Sequence, residues 1–132
     1  MSTILLVEDD AGVRQVVRQM LSKQGYLILE AGSVPQALDC IERHGEPIDL
    51  LITDVVLPKV RCTRLVERLK TKWPLLKVLY ISGYAGESLA PYGLKKKEPN
   101  FLQKPFAPET LVAKVKSMLG GAPAQTQAAG QS

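Results

Sequence analysis

The sequence predicts an α/β domain built on a parallel, five-stranded sheet with helices on both faces. Two observations carry that expectation. Short continuous apolar runs alternate along the chain with segments whose apolar residues recur at helical spacing, and most of those runs stop abruptly at a charged or hydroxylated residue. Parallel strands need crossovers, right-handed crossovers place helices on both faces, and strands buried on both faces lose the polar alternation of a half-exposed sheet.

Ile4-Leu5-Leu6-Val7 is the first such run and stops at Glu8-Asp9-Asp10. Val13, Val16, Val17, Met20 and Leu21 then repeat at helical spacing, with Gly25 as a terminator. Leu27-Ile28-Leu29 reads as the second strand. Ser33 and Gln36 make a capping-box pair ahead of Ala37, Leu38 and Ile41, in a helix expected to end near Gly45. Ile48 through Thr53 is the third run, stopped by Asp54, and Leu65, Val66 and Leu69 mark a helix closed by Trp73-Pro74. Val78-Leu79-Tyr80-Ile81 is the fourth strand, ended by Ser82-Gly83. Between Tyr84 and Pro99, the breakers Gly86, Pro91 and Gly93 leave room for one or two helical turns only. Phe101-Leu102-Gln103 is a brief fifth strand before Lys104-Pro105. Pro108 opens a last helix with Leu111, Val112, Val115, Met118 and Leu119 on one face, ended by Gly120-Gly121.

A chain of 132 residues fits one folded domain, expected over residues 1–121. Residues 122–132 carry no apolar stripe and are expected to be a disordered tail or linker. With 45% hydrophobic and 23% charged residues, the composition excludes the disordered and membrane classes. The net charge of +4 raises the question of an anionic partner. Yet the longest basic run, Lys95-Lys96-Lys97, has no interleaved aromatics and sits in no helix-turn-helix or zinc-finger pattern, so no direct nucleic-acid contact is expected. Cys40 and Cys62 stand far apart without a His-Cys cluster, which argues against zinc and against a disulfide framework. The first apolar run is too short for a membrane span and lacks a signal-peptide layout, so the expectation is a cytoplasmic protein without membrane insertion.

In open parallel sheets, ligand chemistry gathers at the carboxyl ends of the strands. Here those ends supply Glu8 and Asp9, Asp54, Ser82 and Lys104. Carboxylates sharing one small pocket raise each other's pKa unless a hard cation sits among them, and magnesium fits because it takes one or two carboxylates while leaving room for phosphate oxygens. A phosphoryl group arriving at Asp54 would be neutralised by that metal and Lys104 and would accept a hydrogen bond from Ser82. An aspartate needs no general base to act as nucleophile, and its acyl phosphate is labile, so the mark is removable.

Over residues 3 to 119 the sequence resembles the receiver domains of two-component response regulators. The resemblance rests on Val7-Glu8-Asp9-Asp10, Thr53-Asp54-Val55-Val56-Leu57-Pro58, Ser82-Gly83-Tyr84 and Lys104-Pro105-Phe106, in that order. It implies a flavodoxin-like fold with strand order 2-1-3-4-5. It also implies that Asp54 is the phosphoacceptor, that Glu8, Asp9 and Asp54 hold magnesium with the Val56 carbonyl, that Ser82 is the switch hydroxyl, and that Lys104 contacts the phosphoryl group. Phe101 matches the aromatic position that turns inward on activation, and a cis Lys104–Pro105 bond is expected. The phrases Ser82-Gly83-Tyr84-Ala85 and Phe101-Leu102-Gln103-Lys104-Pro105-Phe106 look most like receivers attached to hybrid sensor histidine kinases.

The implied function is a phosphorelay in which a histidine kinase or histidine phosphotransfer domain donates to Asp54. The partner surface near the fourth and fifth strands then changes, in a monomer or weak dimer. No conventional enzyme activity is expected beyond self-phosphorylation from a donor and slow autodephosphorylation. Aspartyl-nucleophile phosphatases, by family analogy, carry a general-acid Asp two residues after the nucleophile, where this chain has Val56. In receivers, Val56 and Tyr84 occupy positions that orient the hydrolytic water, a task valine cannot perform. Arg61-Cys62 stands where the family has a small or acidic residue followed by Gly. If a positive φ is needed there, a side chain costs roughly 1–2 kcal/mol. That departure is what favours the alternative, a phosphorylation-independent interaction module of the same fold. Among the remaining polar residues, Asp10 reads as a helix cap and His44 as an exposed surface residue.

Overall fold

The computed structural model describes residues 2–57, 61–83 and 100–119. The elements are β1 (Thr3–Val7), α1 (Ala11–Ser22), β2 (Leu27–Ala31), α2 (Val34–His44), β3 (Leu50–Asp54), α3 (Cys62–Lys72), β4 (Lys77–Ser82), β5 (Phe101–Gln103) and α4 (Pro108–Met118). The strands form one parallel sheet in the order β2-β1-β3-β4-β5. The order reverses at β1, so the β1 and β3 ends flank a crevice of the kind in which open α/β sheets bind ligands. In register, Val7 lies opposite Thr53, and Asp54 opposite Ile81.

The central strands β1, β3 and β4 are mostly apolar and almost wholly buried because both of their faces are covered. Leu5, Val7, Leu51, Val78 and Tyr80 point into a core closed by Ala37 and Ile41 of α2 and by Leu65 and Leu69 of α3. Their neighbours Ile4, Leu6, Leu50, Ile52, Leu79 and Ile81 point the other way, against Val17 and Leu21 of α1 and Leu111, Val115 and Met118 of α4. Two packed layers therefore hold β1 and β3 rigidly at the centre, and the residues that follow them inherit that rigidity.

Several local expectations are refined. β2 continues to Ala31, two residues past Leu29, because Glu8 donates its N–H to the Ala31 carbonyl at 3.0 Å and extends the pairing. β3 begins at Leu50 rather than Ile48; Ile48 is buried, but Asp49 turns its side chain to the Thr3 N–H at 2.7 Å and delays the ladder. The Ser33 hydroxyl caps α2 through the Gln36 N–H at 3.3 Å, whereas the Gln36 side chain bonds the Gly32 N–H at 2.8 Å, so only half of the capping box closes. Gly45 ends α2 with φ +74°, a left-handed conformation that favours glycine.

His44 is half-buried rather than exposed, with Nε2 enclosed and unpaired among the described residues. Of the two outcomes open at Arg61-Cys62, a shifted loop or a strained one, no positive φ is adopted: Arg61 has φ −67°, and Cys62 is the buried first residue of α3. The expectations for Pro58 and Lys59, for residues 84–99 including Tyr84 and Lys95-Lys96-Lys97, and for the Gly120-Gly121 stop and the tail lie outside the described residues.

Candidate functional site

Four strand ends deliver the site. Glu8 follows β1 directly, and main-chain pairing to Ala31 carries the backbone one residue beyond the strand. Its side chain is almost fully enclosed, at 1% exposure, and both carboxylate oxygens are occupied: Oε1 by Lys104 Nζ at 2.6 Å and Oε2 by the Asp10 N–H at 3.1 Å. Asp10 caps α1, accepting from the Gly12 and Val13 N–H groups, so it faces the helix as the sequence suggested. Asp9, between them, is exposed.

Asp54 ends β3. Oδ1 accepts the Val56 N–H at 2.9 Å and Oδ2 accepts Lys104 Nζ at 2.9 Å, while 8% of the side chain stays exposed. The carboxylate is thus oriented from two sides, and the side chain keeps only a small exposure. Lys104 reaches it from beyond β5, where the Lys104–Pro105 peptide is cis and the Lys104 N–H donates to the Ser82 carbonyl at 2.7 Å. Ser82 is fully buried at the end of β4, one residue past the register partner of Asp54. Phe101 lies further back on β5, opposite Tyr80 and half-buried against the core, outside the carboxylate cluster.

The electrostatics follow from this packing. Burial pushes the Glu8 carboxyl up to about 7, against the hydrogen bonds from Lys104 and the Asp10 N–H, with the nearby Asp54 charge adding to the rise. For Lys104, burial alone would lower the pKa; its contacts with Glu8 and then Asp54 outweigh that and hold it above the usual lysine value. Glu8, Asp9 and Asp54 each offer a carboxylate oxygen, and these atoms lie within 4.8 Å of one another. A set made only of hard oxygen donors, one of them strongly penalised when charged, fits a small hard cation and does not suit a thiophilic metal.

The structure therefore brings Glu8, Asp9, Asp54 and Lys104 together, sets Ser82 and the Val56 N–H beside them, and leaves Phe101 at the strand behind. One residue escaped the sequence reading. Arg14 Nη1 donates to the Glu8 carbonyl at 2.6 Å. The available signal was Glu30, a carboxylate closing an otherwise apolar run, with Arg14 and Arg18 one helical turn apart to meet it.

Residues 4–116 match the family model described as the response regulator receiver domain. The chain belongs to that family. Among curated receiver-containing relatives, it is 36% identical to the sensor kinase CckA of Brucella abortus over 118 residues, covering 89% of this chain and 12% of that protein. It is also 33% identical to the response regulator receiver protein CpdR of the same organism, covering 90% of this chain and 98% of that one. The chain thus spans a small part of the first and nearly all of the second. The crystal structure of the receiver domain from the hybrid histidine kinase CckA superposes with a TM-score of 0.73 at 34% identity, covering 89% of this chain and 99% of that one. The likeness to hybrid-kinase receivers read from Ser82-Gly83-Tyr84-Ala85 and the Lys104 segment is matched by these relatives, and the 2-1-3-4-5 strand order is that of the family. No helix among the described residues is long and apolar enough to cross a membrane.

Proposed function

We propose that this receiver is the phosphoacceptor module of a phosphorelay, with Asp54 as the residue that takes the phosphoryl group. The observation that supports this most is the meeting of Lys104 Nζ with both Glu8 and Asp54, which sets a fixed positive charge beside a carboxylate at the end of β3 that keeps a small exposure to solvent. Glu8, Asp9 and Asp54, with the Val56 carbonyl, would hold a magnesium ion, which supplies charge neutralisation for the incoming phosphoryl oxygens.

The remaining chemistry belongs to the chain. A carboxylate oxygen of Asp54 attacks the phosphorus of a phosphohistidine in a kinase or phosphotransfer domain. The P–N bond breaks as the P–O bond forms, and the imidazole leaves with the electron pair and takes a proton. The Val56 N–H and Lys104 hold the carboxylate in line, Lys104 neutralises the transferred charge, and the Ser82 hydroxyl donates to the new phosphoryl group. Movement of Ser82 towards that group makes room for Phe101 to turn inward, which alters the surface along β4 and β5 and biases two pre-existing conformations. Turnover is limited to self-phosphorylation and slow autodephosphorylation. The receiver works in the cytoplasm as a monomer or weak dimer, and contacts no nucleic acid directly.

Incubation with a small phosphodonor and Mg2+, read by intact mass, tests this. A gain of one phosphoryl group in the wild type, lost in Asp54→Asn, is the expected result. An unmodified wild type would point to the phosphorylation-independent interaction module instead.

A further inference from the structure

Neither strand-end chemistry nor helical patterning accounts for the way the Glu8–Asp9 peptide is held. Its oxygen accepts Arg14 Nη1 at 2.6 Å, and the Glu8 N–H on the other side is bound to the Ala31 carbonyl at 3.0 Å. A peptide unit is planar, so fixing the Glu8 carbonyl oxygen fixes the plane that carries the Asp9 α-carbon. Asp9 is exposed, and no hydrogen bond or ion pair among the described residues fixes its side chain. Arg14 is itself braced: Nε faces Glu30 at 3.6 Å, and Glu30 is shared with Arg18 at 3.0 Å. Gly32 supports the same arrangement, since a β-carbon there would stand 3.1 Å from Arg14 Nη1 and 3.2 Å from Gln36 Oε1 and crowd both. The start of α1, the end of β1 and the end of β2 thus converge on one carbonyl.

We infer that Arg14 is a positioning residue for the metal site, holding the peptide between Glu8 and Asp9 so that the exposed Asp9 carboxylate meets Glu8 and Asp54. The inference rests on the magnesium reading of the three carboxylates. Groups that orient metal ligands without touching the metal change affinity by about 10–100-fold when removed.

Calorimetric Mg2+ titration of the intact chain tests it, comparing the wild type with Arg14→Ala, Arg14→Lys and Glu30→Gln, alongside thermal melts in metal-free buffer and in saturating Mg2+. Arg14→Ala is expected to raise the Mg2+ Kd by about 10–100-fold. Arg14→Lys keeps one donor for the carbonyl and should fall between that variant and the wild type. Glu30→Gln, which loosens the brace, should weaken binding severalfold, and the rise in Tm on adding Mg2+ should shrink in the same order. A residue that merely braces the fold would lower the metal-free Tm and leave Kd unchanged in the folded variants, and that result overturns the inference. Should Arg14→Ala fail to fold, unchanged Kd values in both Arg14→Lys and Glu30→Gln overturn it equally. A wild type that does not bind Mg2+ overturns the metal-site reading, and the inference with it.

Discussion

Glu8 is enclosed yet surrounded by groups that want it charged, and its carboxyl sits near 7 rather than at its ordinary value of 4.5. The sign of the consequence is set by burial. Between about 4.5 and 7 the folded state binds a proton at Glu8 that the unfolded state has released, so this residue's contribution to stability falls as pH rises through that window and is flat below it. Thermal melts of the metal-free protein and of Glu8→Gln, compared across the window, should show the variant gaining on the wild type as pH rises; a constant difference would show that Glu8 ionises in the fold as it does in water. Val56 makes a different prediction. Its N–H orients Asp54, but its side chain cannot direct water, so Val56→Asn should shorten the lifetime of the phosphorylated protein severalfold, and an unchanged dephosphorylation rate would count against that role. Glu8, Asp9, Asp54 and Lys104 were legible in the sequence because each follows an apolar run that has to end at the sheet edge. Arg14 was not, because helical periodicity assigns an arginine beside Val13 to solvent and carries no information about a carbonyl in the turn before the helix.

At the scale of elements, α1 joins folding to the site. Asp10 caps it through Gly12 and Val13, and its own N–H holds Glu8 Oε2. Asp10→Ala removes the cap but keeps that N–H, so it should cost about 1 kcal/mol of stability while the yield of phosphorylated protein at saturating Mg2+ is retained. Asp9→Ala should do the reverse, leaving stability nearly unchanged and lowering the yield. Denaturant melts paired with intact-mass assays separate the two, and a loss of yield in Asp10→Ala without loss of stability would make Asp10 a ligand rather than a cap. Element types and most boundaries were readable from periodicity and breakers. Misplaced ends occurred where a side chain or a distant strand intervened, at Asp49 in front of β3 and at Ala31 behind β2. Gln36 shows the same limit, since its spacing from Ser33 specifies a reciprocal cap and local geometry sends its oxygen to Gly32.

Across the whole molecule, alternation of strand and helix gave the class of fold but not the strand order, because a crossover pattern alone does not say which side of β1 the third strand joins; the order came from the resemblance. The two layers also tie remote segments to the site. Leu111 of α4 is fully buried against the face formed by Ile4, Leu6, Ile52 and Ile81, so Leu111→Ala should cost about 2–5 kcal/mol in denaturant melts, and a cost under about 1 kcal/mol would mean that α4 is not part of that core. Such packing lets residues as far apart in sequence as Glu8 and Lys104 meet on one side of Asp54. The most direct measurement of whether that meeting makes an acceptor is to treat the protein with a small phosphodonor, with Mg2+ or with a chelator, then reduce it with borohydride, which converts an aspartyl phosphate to homoserine, and to map the product by peptide mass. Homoserine at position 54 in the Mg2+ sample and nowhere in the chelated one is the predicted result; conversion at another carboxylate, or at position 54 regardless of metal, would contradict it.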